Sequence, residues 1–418
     1  MYYIALSLSA ILNITTLMNI YQSYREKSSS IVFWVALLMF FNLPHFFTVI
    51  NSELSSELYI YNEASAFCIL FNITYFIFWN VKMGKKKLLS ENEYTVENKT
   101  LFYYLLLLLF IGSLVWSIGI YRVSGTFLGS SWTDMRNMET VYMLIGQYLF
   151  LAGSGSVFAF FILKKRIELI LGLTICIYVI FLLKARIYII PITAPFIIYY
   201  LYREKIRLKN IVKIGLVSIS LIFMVFFLQQ FRYLGNIDDL SFSVVIEVSQ
   251  NTIENISSGG GEFDLKKAFY LFIENDNNYY HFEEGLTYKR LALWFVPSSI
   301  LDIKPDDFTF DMWNAIYPDR NNTGGSFHPI FYGDLYANFG FIGFLMAMLW
   351  VVIIKFIDFF VNLLTKSLKI ALMPNVILMY VLLSRGAVYN SIVFLLWSTI
   401  LVLGVWLVSK ISIRKGTF

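Results

Sequence analysis

The amino-acid sequence predicts an all-α polytopic membrane protein, and three observations carry that prediction. Hydrophobic residues make up 58% of the chain and charged residues 15%, with a mean hydropathy of +0.66, a balance foreign to a soluble domain of 418 residues. Apolar windows long enough to cross a bilayer recur along the chain. Basic residues gather in alternate connections between those windows. The reading is a single integral-membrane domain, 1–418, with about eleven spans, its N-terminus outside and its C-terminus cytoplasmic.

Taken in order, the windows fall at about 2–20, 31–50, 61–80, 101–120, 141–163, 167–183, 187–202, 211–229, 331–357, 370–384 and 391–409. The first follows no basic segment and precedes no small-residue cleavage site, so it is expected to be kept as a span rather than removed as a signal peptide. Arg25 and Lys27, Lys82 with Lys85–Lys87, Lys164–Arg166, Arg203 with Lys205, Arg207 and Lys209, Lys366 with Lys369, and the tail Lys410, Arg414 and Lys415 mark the cytoplasmic side. Outer connections are short except for a smaller loop at 121–140 and a large one at 230–328, between the eighth and ninth windows. The large loop carries Glu262–Glu274 and Leu286–Leu301, each aromatic-rich with a basic pair, as expected of helices lying on a membrane surface.

Composition also excludes chemistry. Cys68 and Cys176 sit inside apolar runs and read as packing residues, not as a disulfide or metal site. There is no Asp-x-Asp, and the acidic pairs Asp238/Asp239, Glu283/Glu284 and Asp306/Asp307 are adjacent, so their carboxylates diverge. His45 falls at a span start and His281 in the large loop. No metal and no cofactor are expected. The net charge of +5 names no partner by itself, and none of these features calls for nucleic acid; the lipid bilayer is the partner the composition requires.

The most informative stretch is Asp319–Gly343, where the polar loop turns into a membrane helix. Pro329 suits a first helical turn, because the amide it lacks would have no intrahelical acceptor there, with Ser326 to His328 at the cap. From Pro329 the chain runs almost without charge past Leu349–Trp350, so a helix start with free amides and a positive dipole end should face the loop, with Gly324 and Gly325 allowing a phosphate to approach the backbone. His328 has the right intrinsic basicity for proton transfer. Asp334 is costly inside a span unless it works or is paired, and Asn338 lies one turn further along its face. Tyr332 and Tyr336 form a second polar-aromatic row.

Cations supply the other half. Lys184 and Arg186 join two windows of 16 to 17 residues, about 25 Å each at 1.5 Å per residue, shorter than a core of about 30 Å, so their hairpin tip should sit within the outer leaflet. Arg232 and Arg385 lie at the outer ends of the eighth and tenth windows, with Gly386 placed to stop the tenth. Arg290 and Arg136 come from outer loops. Such arginines either anchor the chain by snorkelling to headgroups or converge as a diphosphate clamp.

These features resemble the Wzy-type O-antigen and capsule repeat-unit polymerases and, more distantly, the O-antigen ligases. The likeness covers the overall topology and rests locally on Lys184-Ala185-Arg186, on Pro297 to Pro305, on Gly325-x-x-His328 leading into Gly340-Phe341-Ile342-Gly343, and on Ser384-Arg385-Gly386. A ligase-like pattern would place a polar residue where Pro329 stands. What the resemblance implies is a fold like that of the GT-C glycosyltransferases, working without metal or nucleotide on the periplasmic face of a bacterial inner membrane. Donor and acceptor would be glycans on undecaprenyl diphosphate, with a chain-length regulator and a flippase as further partners. The implied roles are His328 or Asp334 as catalytic base, Arg186, Arg232, Arg385, Arg290 and Arg136 on the diphosphate, and Lys184, Gly325, Tyr332 and Tyr336 in positioning substrate. Two other readings stand beside it: an O-antigen ligase or other GT-C enzyme, and a lipid-linked oligosaccharide flippase. A flippase should carry charges through mid-span, whereas here they gather at the outer ends.

Overall fold

The computed structural model describes residues 1–52, 57–81, 96–127, 137–183, 185–203, 223–224, 226–228, 242–257, 261–277, 282–296, 304–305, 309–317 and 326–415. Among these the chain is helical, with no strand. Among the described residues eight helical segments are long and apolar enough to cross a bilayer: Tyr2–Glu26, Ile31–Ile50, Leu58–Asn80, Lys99–Ser124, Thr140–Ile162, Ile330–Leu363, Lys366–Ser384 and Val388–Ile411. They fall on eight of the predicted windows, and the chain is a multi-pass membrane protein. The window at 187–202 forms a shorter apolar helix, Arg186–Tyr202. That at 167–183 forms Arg166–Ile177 followed by a π turn, Tyr178–Leu182. The window at 211–229 lies almost wholly outside the described residues.

Two compact units divide the chain: residues 1–88, 259–360 and 379–393 form the first, and 89–258, 361–378 and 394–418 the second. In the first, α1 (Tyr2–Glu26), α2 (Ile31–Ile50) and α3 (Leu58–Asn80) surround a buried polar hub. Asn72 Nδ2 donates to Thr15 and Thr16 Oγ1 (3.1 and 2.8 Å), Asn19 donates to the Asn72 carbonyl (3.2 Å), and Tyr332 Oη donates to Asn72 Oδ1 (2.8 Å). With no water in hydrocarbon, such groups have to satisfy one another. Asp358 is held likewise, accepting from Ser28 and Ser29 Oγ in the turn after α1 (2.6 and 2.9 Å). Replacing Tyr332 with Phe leaves Asn72 Oδ1 without this donor, and we expect a loss of roughly 0.6–2 kcal/mol, read as a modest fall in melting temperature in detergent; an unchanged melt would show that the hub does not hold the unit together.

The large loop contributes α9 (Lys266–Glu274), α10 (Leu286–Ala292) and α11 (Thr309–Ile316) to this unit. The stretch 262–274, expected from sequence at a membrane surface, packs here on other parts of the first unit. The apolar side of α9 is buried against protein: Phe269 meets Phe41, Phe67 and Tyr336, and a Cβ on Gly333 would lie 2.9 Å from that of Phe269. Tyr270 Oη and Ser65 Oγ bind the two ring nitrogens of His45 at 2.6 and 2.8 Å, tying α9 to α2 and α3. Burial pushes the Tyr270 phenol well above its usual range, so it stays neutral.

The long helix expected from Pro329 onward is not continuous. It divides into α12 (Ile330–Phe339), a 3₁₀ stretch Gly340–Met346, and α13 (Ala347–Leu363). Gly340 causes the break: its φ of 59° and ψ of −156° belong to a region open essentially to glycine alone.

In the second unit α4 (Lys99–Ser124) and α5 (Thr140–Ile162) lie backbone to backbone, with Gly112 and Gly153 at the closest approaches. Small residues at such contacts let membrane helices pack by van der Waals contact, where no hydrophobic drive separates helix from lipid. Asn98 caps α4, accepting from the Leu101 amide at 3.0 Å, and its Nδ2 donates to Ser409 Oγ at 2.9 Å. Remaining helices are α6 (Arg166–Ile177), α7 (Ile189–Arg203) and α8 (Phe242–Ser257). The last two helices of the chain, α14 (Lys366–Ser384) and α15 (Val388–Lys415), pass through both units.

Candidate functional site

The turn between α14 and α15 builds one wall of a cleft within the first unit. Arg385 is the last residue of the α14 cap and Gly386, at φ 85°, takes the left-handed conformation that ends a helix. The Gly386 and Ala387 amides donate back to the carbonyls of Leu383 and Leu382 (2.9 and 3.0 Å), the paired bonds of a Schellman cap. The predicted stop at Gly386 is present, and the chain enters α15 at once.

Against this turn sits the start of α12. The Ile330 amide donates to the Arg385 carbonyl at 3.1 Å, and an added Cβ on Gly386 would come within 2.7 Å of the Ile330 carbonyl oxygen. Ile330 itself has a φ of 62°. For a β-branched residue that is a strained backbone, and such strain persists only where the surroundings over-determine it. Pro329 is the N-cap rather than the first helical residue. At the α12 start Pro329 has no amide, the Ile330 amide is bonded, and both residues are buried.

The helix start that does line the cleft is that of α15. The walls are Leu286, Thr287 and Arg290 of α10, Thr309 of α11, His328 and Asp334, and the run Gly386–Asn390. The first amides of any helix lack intrahelical acceptors and carry the positive end of its dipole. In α15 those first residues are Val388, Tyr389 and Asn390, and all three line the cleft. Arg290 lies over the Tyr389 ring, Cζ 4.5 Å from the centroid, and Lys304 Nζ lies 5.5 Å from the same centroid while donating to the Val296 carbonyl (2.8 Å). One aromatic ring thus holds two cations at the cleft.

Asp334 is fully buried and accepts from Thr287 Oγ1 at 2.9 Å. Asn338 is joined to both: its Nδ2 donates to the Asp334 carbonyl (2.6 Å) and to Thr287 Oγ1 (3.2 Å), and its Oδ1 accepts from the Thr287 amide (3.1 Å). Next to this cluster Tyr288 Oη accepts from Trp350 Nε1 at 3.2 Å. Burial, and then the Asp334 carboxylate, push the Tyr288 phenol well above its usual range and keep it neutral. His328 is half-buried, held between Phe327, whose amide donates to the Thr309 carbonyl (2.9 Å), and Pro329.

Of the residues singled out from sequence, His328, Asp334 and Arg290 meet in this cleft, and Arg385 contributes the carbonyl that seats Ile330. Tyr332 and Tyr336 turn the other way, Tyr332 to Asn72 and Tyr336 to Glu63 of α3. Two residues of helix amount to about 200°, so the tyrosine row lies opposite the Asp334 row. Arg186 is half-buried in the second unit, in a 3₁₀ turn whose Tyr188 packs on Trp116 and Phe150. Arg136, Lys184, Arg232 and Gly325 lie outside the described residues. Sequence reasoning passed over Thr287, Tyr389 and Asn390. A signal for Thr287 existed, since it precedes Arg290 by three residues in a helical stretch and so shares its face. Among the described residues no three His, Cys, Asp or Glu side chains gather as a metal site.

Chemically, the cleft combines two candidate proton acceptors with cations and an amide-lined helix start, which suits an anionic group beside a hydroxyl to be deprotonated. The chain matches no protein-family profile, no curated protein sequence and no solved structure.

Proposed function

We propose that this protein is a membrane-embedded glycosyltransferase that joins lipid-diphosphate-linked glycan repeat units into a polysaccharide, in the manner of the Wzy-type polymerases. The observation that carries the reading is the convergence of His328 and Asp334, at the start of α12, with Arg290 of α10 on one cleft beside the start of α15. The acceptor sugar hydroxyl attacks the anomeric carbon of the donor glycan. The bond from that carbon to the donor's diphosphate oxygen breaks, and the lipid diphosphate leaves with its electron pair. His328 or Asp334 takes the hydroxyl proton. Arg290 and the α15 amides stabilise the charge that grows on the leaving group, where preorganised donors have their largest effect. Arg385 is assigned to the same diphosphate in this reading, with Gly325 positioning substrate.

The same proposal places about eleven spans in a bacterial inner membrane with the cleft on the periplasmic side and the C-terminus in the cytoplasm, on the strength of the alternating basic loops. Reporter fusions after Lys87, Arg166, Lys209 and Lys369 are expected to report cytoplasm, and fusions within 240–320 the periplasm. A cytoplasmic report from 240–320 would put the cleft on the wrong face for lipid-linked repeat units. The reaction itself is tested by supplying the purified protein with undecaprenyl-diphosphate-linked repeat units and following polymer ladders on gels; a wild-type protein that forms no ladder overturns the proposal.

A further inference from the structure

We propose that Thr287 is the positioning residue that holds the Asp334 carboxylate in its working orientation, and that Asn338 sets the direction of the hydrogen bond by which it does so. This inference rests on the proposed reaction and assigns a role that the sequence did not suggest. The inventory of donors and acceptors sets the direction of each bond. Asn338 has its amide orientation fixed at both ends: its oxygen faces the Thr287 N–H (3.1 Å) and its nitrogen faces the Asp334 carbonyl (2.6 Å). That nitrogen also donates to Thr287 Oγ1 at 3.2 Å. The hydroxyl, already an acceptor, sends its own proton to Asp334 Oδ1 at 2.9 Å.

All three side chains are at most 5% exposed, so water does not compete for these bonds. The arrangement makes Asp334 Oδ1 the acceptor of the Thr287 hydroxyl proton. It also spans two elements, α10 from the large loop and α12. The Thr287 side of the network lies on the same short helix as Arg290. Thr287 thus fixes the carboxylate relative to the cation across the cleft, and small displacements at a reacting centre are expensive.

The test uses the full-length protein in nanodiscs. Thr287→Val keeps the shape and removes the donor, whereas Thr287→Ser keeps the donor. Thr287→Val is expected to lower kcat about 10- to 100-fold while KM for the lipid-linked donor stays within about twofold. Thr287→Ser should stay near wild type. A second readout needs no activity. Labelling of Asp334 by a hydrophobic carbodiimide, followed by mass spectrometry, should change severalfold in Thr287→Val, where the carboxylate is no longer held, and not in Thr287→Ser. If Thr287→Val does not accumulate in the membrane, Asn338→Ala, which removes the bond that orients the hydroxyl, carries the same two expectations. Equal labelling in wild type and Thr287→Val, or an equal loss of kcat in Val and Ser variants, overturns the inference. An inactive wild-type protein would overturn the proposed reaction, and the labelling would still decide what Thr287 does.

Discussion

Replacing His328 with Ala, or Asp334 with Asn, is expected to slow chain extension by about 10²- to 10⁴-fold for whichever of the two is the base, the usual contribution of a positioned general base. Binding of the lipid diphosphate should be nearly unchanged, because the base acts on the acceptor hydroxyl and not on the donor's phosphates. Arg290→Lys gives the opposite pattern. It keeps a charge but loses the planar fork, and with it the guanidinium stacked on Tyr389, so donor binding should weaken along with the rate. Titrating donor against the purified variants separates these cases. If both His328→Ala and Asp334→Asn extend chains at wild-type rates, the cleft positions substrate and the proton acceptor lies elsewhere. If either loses donor binding instead, that residue belongs with Arg290.

The second large effect is structural. Gly386→Ala is expected to cost about 2–5 kcal/mol, because it adds a backbone term of about 1–2 kcal/mol for an L-residue at φ 85° to a packing term of about 1–3 kcal/mol. The packing term is hard to relieve. The atoms an added Cβ would meet are the Ile330 carbonyl oxygen, carbon and nitrogen at 2.7 to 2.8 Å, and a backbone cannot swing aside as a side-chain end can. Gly285 provides the control. Its φ is 78° and nothing lies within 4 Å of where an added methyl would sit, so Gly285→Ala should show the backbone term alone. Thermal melts of the two variants in the same detergent measure the difference. Equal melting temperatures would mean that the α12 start does not depend on the α14–α15 turn.

That junction explains why the cleft is where it is. Ile330 is strained, its amide is bonded to Arg385, and its carbonyl is in contact with Gly386. His328 and the first turns of α15 are thereby fixed relative to each other. Asp334 is fixed separately, through Thr287 and Asn338, to the helix that carries Arg290.

By itself the sequence determined eight of the spans and the stop at Gly386. A bilayer leaves a long apolar segment no conformation but a helix, since every amide and carbonyl has to be satisfied within the segment; hence eight predicted windows coincide with eight long helices. Gly386 was legible as a stop because the left-handed cap favours glycine regardless of what surrounds it. His328 was legible as a histidine at the loop-to-helix junction, Asp334 as an ionisable residue inside a span, and Arg290 as an arginine of an outer loop. Tertiary structure alone decided which of them meet. It broke the expected long helix at Gly340, assigned Tyr332 to Asn72 rather than to the cleft, brought Thr287 onto Asp334, and gave the cleft the start of α15 in place of the start of α12. The reason is that periodicity fixes a side chain's angle on its own helix but says nothing about which neighbour lies at that angle. In spans that are apolar on every side, that choice is made by contacts between residues far apart in the chain.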